Sequence, residues 1–123
     1  MTHAVLVVDD EADLVSTYSR LLRRHGCRII AAASRKEALA ALDGERPALV
    51  IVDLRLPDGD GLDVVRAARA LPHPPPVIVV TGFASKQSRR QARGAGAAAY
   101  LAKPFSTSAL TSLIQEVLAQ PST

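Results

Sequence analysis

The stretch Ala4-Val5-Leu6-Val7-Val8 runs directly into Asp9-Asp10. An apolar run of this length, rich in β-branched residues and without polar alternation, predicts a strand buried on both faces. Three further runs end in the same way. Leu49-Val50-Ile51-Val52 stops at Asp53, Val77-Ile78-Val79-Val80 at Thr81, and Ala99-Tyr100-Leu101-Ala102 at Lys103-Pro104. Buried parallel strands place a ligand site at their carboxyl ends. The residues at these ends would bring Asp9, Asp10, Asp53, the Thr81 hydroxyl and the Lys103 ammonium into one crevice. Hard oxygen donors and one fixed cation suit a divalent metal and a phosphoryl group.

Working outward, strand-like segments near 4–8, 28–32, 48–52, 77–81 and 98–102 alternate with helical ones. Leu14, Tyr18, Leu21 and Leu22 form one apolar stripe, and Leu110, Leu113, Ile114, Val117 and Leu118 form the clearest one. Leu62, Val65, Ala68 and Leu71 mark a third helix, ended by Pro72 and the run Pro74-Pro75-Pro76. Ser34 with Glu37 has capping-box spacing, Ser106 can cap the last helix, and Asp10 can help to cap the first. The fourth helix, near 85–95, has no large apolar residue and must rest on Ala84, Ala92 and Ala95. It is therefore expected to be the most loosely held element. Five βα units imply right-handed crossovers and a doubly wound α/β fold with helices on both faces of a parallel sheet. Gly59 and Gly61 fit a turn after Asp53, and Gly94-Ala95-Gly96 fits a helix end, not a dinucleotide loop.

At 123 residues and 13.0 kDa the chain is expected to be a single domain over 1–123, with Pro121-Ser122-Thr123 as a tail or the start of a linker. No apolar segment approaches the ~20 residues of a membrane span. No secretory pattern precedes the first strand. Cys27 is the only cysteine, which fits a reducing, cytoplasmic setting. His3, His25 and His73 lack zinc spacing. The formal charge of +3 comes from arginines spread over most helices without interleaved aromatics. They are read as a solvated surface, with no nucleic-acid groove in this domain.

Four motifs together carry a resemblance. They are Val-Val-Asp9-Asp10-Glu11, Val-Asp53-Leu-Arg-Leu-Pro57-Asp-Gly59, Val-Val-Thr81-Gly82 and Tyr100-Leu-Ala-Lys103-Pro104-Phe105. In this order and strand context the chain resembles the receiver domain of two-component response regulators over essentially its whole length. The resemblance implies a flavodoxin-like (βα)5 fold with strand order 2-1-3-4-5. It also implies that Asp53 is the phosphoacceptor. Asp10 and Asp53 would bind Mg²⁺ directly, Asp9 through water, and Arg55 through its backbone carbonyl. Thr81 and Lys103 would contact phosphoryl oxygens, the Lys103–Pro104 bond would be cis, and Tyr100 would be an aromatic switch. Implied partners are a sensor histidine kinase or a histidine phosphotransfer protein, and an output domain or downstream protein. A homodimer through the fourth helix, fifth strand and fifth helix is a further implication. The chain would catalyse only its own phosphorylation and dephosphorylation.

The chemistry agrees independently. Neighbouring carboxylates repel one another, and a bound cation reverses that cost. Taken singly, Asp9 or Asp53 reads as a cap or turn residue, Thr81 as a strand end, and Tyr100 and Phe105 as packing. Arg55 and Phe83 depart from what many relatives carry. Their bulk at the site mouth is expected to slow dephosphorylation, although Arg55 can instead reach a carboxylate. Three rivals stand beside this reading: an interaction module that is never phosphorylated, a flavin-binding protein, and a small-molecule phosphatase. The flavin reading meets an acidic Asp9-Asp10-Glu11 loop that would repel a flavin phosphate. The phosphatase reading meets Arg at position 55, where a second Asp is usual.

Overall fold

The computed structural model describes residues 3–119 of the chain. Its elements run β1 (His3–Val8), α1 (Ala12–Arg24), β2 (Cys27–Ala32), α2 (Arg35–Gly44), β3 (Leu49–Asp53), β4 (Arg55–Leu56), β5 (Gly59–Asp60), α3 (Gly61–Arg69), β6 (Val77–Thr81), α4 (Lys86–Ala95), β7 (Ala99–Ala102) and α5 (Thr107–Ala119). Five strands form one parallel sheet in the order β2-β1-β3-β6-β7. Counting only strands of that sheet, this is the expected order 2-1-3-4-5. The antiparallel β4–β5 ribbon, unforeseen in the sequence, lies between Asp53 and α3. The expected tail at 121–123 lies outside the described residues.

The central strands β3 and β6 are buried at every position, and β1 at every position after His3. Their alternate side chains supply two cores. Leu6, Val8, Val50, Val52, Val77 and Val79 pack under α2, α3 and α4. Val5, Val7, Leu49, Ile51, Ile78 and Val80 pack under α1 and α5. Helices thus cover both faces, as continuous apolar strands require.

Local chemistry sets the helix ends, with some departures from expectation. The Ser34 hydroxyl accepts from the Glu37 N–H at 3.1 Å, but the Glu37 carboxylate accepts from that same hydroxyl and does not reach the Ser34 backbone. Asp58 supplies the rest of the α2 cap. Its carboxylate accepts from the N–H groups of Arg35 (2.6 Å) and Lys36 (3.0 Å), which holds its pKa below the usual carboxylate value. Asp10 does not cap α1, whose N-cap is Glu11 without a side-chain bond. Asp9 takes the local role by accepting from the Glu11 N–H. Helix α3 stops at Arg69, so Leu71 packs from beyond its end.

Helix α4 buries only Ala92 fully; Ala95 packs partly, and Ala84 is exposed ahead of the helix. The contacts expected of Ala84 are absent because the helix starts later, at a capping box between Ser85 and Ser88. Gly96 closes α4 in the left-handed region (φ 103°), where a Cβ would meet the Arg69 side chain at 3.0 Å. Gly61 has a different necessity. A Cβ there would lie 2.1 Å from the Asp53 carbonyl oxygen, so only glycine lets α3 begin against the end of β3.

Candidate functional site: an acidic cluster bridged by a lysine

The sheet brings the strand-end residues together. Asp9 follows β1, where its N–H donates to the Ala32 carbonyl at the end of β2. Asp53 is the last residue of the adjacent β3 and pairs with Val80, one place before Thr81 on β6. Thr81 pairs with Ala102, and the Lys103 N–H donates to the Thr81 carbonyl at 2.8 Å. Parallel register therefore delivers Asp9, Asp53, Thr81 and Lys103 to one sheet edge. The Lys103–Pro104 bond is cis, as the resemblance implied.

Carboxylate oxygens of Asp9, Asp10 and Asp53 all lie within 4.8 Å of one another. Asp9 and Asp53 are buried, whereas Asp10 is exposed. Lys103 Nζ donates to Asp53 Oδ2 at 2.8 Å and to Asp9 Oδ2 at 3.0 Å. It also reaches Glu11 Oε1 at 3.3 Å. The remaining oxygens are engaged locally: Asp53 Oδ1 accepts from the Arg55 N–H at 3.1 Å, and Asp9 Oδ1 accepts from the Glu11 N–H at 2.9 Å.

The electrostatics follow from that geometry. Burial is the largest influence on Asp9 and raises its pKa, against the Glu11 N–H and Lys103, which lower it. Burial works against the Lys103 charge, but its hydrogen bonds and charge attraction to Asp53 and Asp9 outweigh that and raise its pKa. The ammonium stays protonated and fixed, only 12% exposed. Beneath the site, the buried Tyr18 hydroxyl has no partner among the described residues. Burial raises its pKa, and the charge of Asp9 adds to this. The Tyr18 ring stacks on Phe105 at 6.0 Å, so Phe105 is a packing residue.

Thr81 is buried, and its hydroxyl accepts from the Phe83 N–H at 3.1 Å, with no bond to the acidic cluster. Arg55 does not pair with a carboxylate. Its guanidinium lies over the Phe83 ring, 3.6 Å from the centroid, and Phe83 is 60% exposed. Both residues line an open cavity of about 500 Å³, together with Thr81, Leu54, Gln87 and Ser88. Tyr100 is half-buried; its hydroxyl bonds to Ser88 and its ring lies under the Arg89 guanidinium. Two contributors escaped the sequence reading. Glu11 adds a third carboxylate to Lys103, signalled only by its place beside Asp10, and Ser88 links Tyr100 to the α4 cap with no sequence signal.

An all-oxygen carboxylate set at this spacing fits a small hard cation such as Mg²⁺. Among the described residues, no helix is long and apolar enough to cross a membrane.

Comparison with known proteins gives a consistent answer. Residues 5–115 match the model of the response regulator receiver domain. The transcriptional regulatory protein PrrA of Mycobacterium tuberculosis is 36% identical over 114 residues, which cover 93% of this chain and 49% of PrrA. PdtaR of the same organism is 37% identical over 112 residues, covering 90% of this chain and 54% of PdtaR. The chain thus spans about half the length of these curated relatives. Among solved structures, a CheY-like receiver domain protein from Methanospirillum hungatei superposes with a TM-score of 0.89 at 31% identity, covering 96% of this chain and 94% of that one. The non-phosphorylated HemR receiver domain from Leptospira biflexa gives 0.90 at 28% identity, covering 98% and 97%. With its sheet order, acidic strand ends and a family match over nearly all its length, the chain belongs to the response regulator receiver domain family, the phosphorylation-dependent signalling modules of two-component systems.

Proposed function

We propose that this chain is a phosphorylation-controlled switch in which Asp53 is the phosphoacceptor. The observation that carries the reading is the Lys103 ammonium held between Asp53 and Asp9 at the edge of a three-carboxylate cluster. A carboxylate oxygen of Asp53 attacks phosphorus, and the bond from phosphorus to the donor's histidine nitrogen, or to the acyl oxygen of a small phosphodonor, breaks. The leaving group departs with the electron pair. Lys103 orients the attacking carboxylate and offers a fixed positive charge to the phosphoryl oxygens. The Thr81 hydroxyl, whose oxygen accepts from the Phe83 N–H, donates its own O–H to a phosphoryl oxygen.

Asp9, Asp10 and Asp53, together with the Arg55 backbone carbonyl, would hold Mg²⁺. Bound there, the ion would supply charge neutralisation for the crowded carboxylates and for the transferring group. The added phosphoryl charge then biases Thr81, Tyr100 and the sparsely packed α4 toward a second arrangement. The readout surface is α4, β7 and α5. It engages a downstream protein, an appended output domain or a second receiver. The phosphoryl donor is a sensor histidine kinase or a histidine phosphotransfer protein in the cytoplasm. The chain forms one receiver domain and turns over no substrate besides its own phosphoryl group.

Intact-mass spectrometry tests this after incubation with Mg²⁺ and acetyl phosphate. One phosphoryl group should be added to the native chain, and none to Asp53→Ala or without Mg²⁺. Addition to Asp53→Ala would overturn the assignment. If the native chain gains nothing from either acetyl phosphate or a phosphorylated histidine kinase, it is an interaction module.

A further inference from the structure

Tyr18 is 1% exposed, yet its hydroxyl has no hydrogen-bond partner. Among the described residues it is the only buried side-chain oxygen or nitrogen so placed. A hydroxyl taken out of water without a partner opposes folding, and a phenylalanine here would avoid that cost. The stack on Phe105, at 6.0 Å and 20° between planes, does not need the oxygen. The position of Tyr18 sets where the hydroxyl lies. Tyr18 follows the first residue of α1, Ala12, by six residues, or about 9 Å of helix. Long side chains lean toward the N-terminus of their helix, and here that end adjoins Asp9 and Asp10. The ring partner Phe105 comes two residues after Lys103. The hydroxyl thus approaches the underside of the Asp9–Lys103 pair. The charges that act on it are Asp9 first, then Lys103, Asp53 and Glu11. Burial raises its pKa, so it keeps its proton and remains a donor.

At rest, both oxygens of Asp9 are served. Oδ1 accepts from the Glu11 N–H and Oδ2 from the Lys103 ammonium. Lys103 has three N–H bonds, and its three acceptors are Asp53, Asp9 and Glu11. A phosphoryl group on Asp53 converts that carboxylate to a neutral acyl group and adds anionic oxygens beyond it. The ammonium follows the charge, and its hold on Asp9 loosens. Asp9 is then a buried carboxylate short of a donor, which is a costly state. We propose that the Tyr18 O–H then donates to Asp9, making Tyr18 a positioning residue that steadies this carboxylate in the phosphorylated state. The proposal rests on the switch reading, because the bond forms only when a phosphoryl group draws Lys103 away. It also gives the orphaned hydroxyl a use: its cost at rest is recovered in the second arrangement, which shifts the balance toward the phosphorylated state.

The test compares the full native chain with Tyr18→Phe, which keeps the ring and removes only the oxygen. Beryllofluoride, with Mg²⁺ present, serves as the non-hydrolysable probe of the phosphorylated state. Without the probe, the urea midpoint of Tyr18→Phe should equal or exceed the native one, because no bond is lost. Mg²⁺ alone should bind both chains equally. With the probe, calorimetry should show about tenfold weaker binding by Tyr18→Phe, the loss expected for one hydrogen bond to a charged group. A purely structural role would not separate the two states in this way. Fluorescence supplies the direct signature. Tyr100 is the only other tyrosine and the chain has no Trp, so the difference in emission between the native chain and Tyr18→Phe reports Tyr18. That emission should fall when the probe binds, since a carboxylate acceptor quenches tyrosine. Equal probe affinity in the two chains, or unchanged Tyr18 emission, would overturn the proposal and leave the switch reading intact. A lower urea midpoint for Tyr18→Phe without the probe would overturn it as well, by showing that the hydroxyl is already partnered at rest. A native chain that neither binds the probe nor gains a phosphoryl group by intact mass would overturn both readings together.

Discussion

Lys103 shows how one side chain sets both stability and chemistry. It is the cation that offsets two buried carboxylates, Asp9 and Asp53. Replacing it by Met leaves those charges unpaired, which costs about 3–5 kcal/mol when the pair is buried. Urea unfolding of Lys103→Met without divalent cation checks this, and a loss below about 1 kcal/mol would mean that the cluster is solvated. The pH dependence has a definite sign. The pKa values of Lys103 and Tyr18 are both raised on folding. Their contributions are therefore complete below the unfolded values, near 10.4 and 10, and are lost as pH rises through the folded ones. Stability should fall in the alkaline range, less steeply in Lys103→Met and in Tyr18→Phe. Arg55 and Phe83 form a second residue-scale device. Their cation–π stack is worth about 0.5–1 kcal/mol. If it screens the acyl phosphate from water, Phe83→Ala should shorten the phosphoryl lifetime roughly two- to fivefold. An unchanged lifetime would show that the stack does not limit water access. The two bulky residues were legible in the sequence. Their stacking was not, because it depends on how the β4–β5 ribbon faces the loop after β6.

Among the elements, α4 stands apart. It buries one side chain fully, Ala92, whereas α5 buries Leu110, Ile114 and Val117. At about 25 cal/mol per Å² of apolar surface, an alanine contributes far less than a leucine or isoleucine. Amide exchange should therefore be faster in α4 than in α5. Equal protection would show that the Ser85–Ser88 cap and the Tyr100 bond compensate for the thin core contact. The small-residue composition of α4 was plain from its sequence. Its start was not, because the run from Ala84 offers no apolar residue to mark a boundary. The capping box uses a serine at its third position, outside the usual Glu or Gln signature. The α2 cap was half visible for a related reason. Ser34 and Glu37 are neighbours in sequence, but Asp58 arrives from a distant loop.

Across the whole molecule, the central strands join two cores. Each of β1, β3 and β6 alternates its side chains between the α2–α3–α4 layer and the α1–α5 layer. Loss of one layer exposes the sheet that the other needs, so unfolding should be a single cooperative transition. Tyr18 packs in one layer and Tyr100 against the other, and the chain has no Trp. Tyrosine fluorescence of Tyr18→Phe and Tyr100→Phe should give urea midpoints that coincide with circular dichroism for each variant. Separate midpoints would show that the layers unfold independently. The same alternation carries function, since one sheet fixes both the acidic edge and the seat of α4.

By itself the sequence determined the order of the five βα units, the parallel sheet and the identity of the strand-end residues. Each rests on local information: unbroken β-branched runs, helical periodicity and a polar residue where a buried strand must stop. Tertiary structure alone decided which oxygen meets which donor. Lys103 reaches Asp53, Asp9 and Glu11 across 50, 94 and 92 residues of chain. Arg55 turned to a ring and away from the carboxylates, and Asp58 capped a helix 22 and 23 residues away. Such pairings depend on strand register and loop direction. Side-chain hydrogen bonds form between whichever groups the packed sheet brings within about 3 Å, and no sequence period encodes that distance.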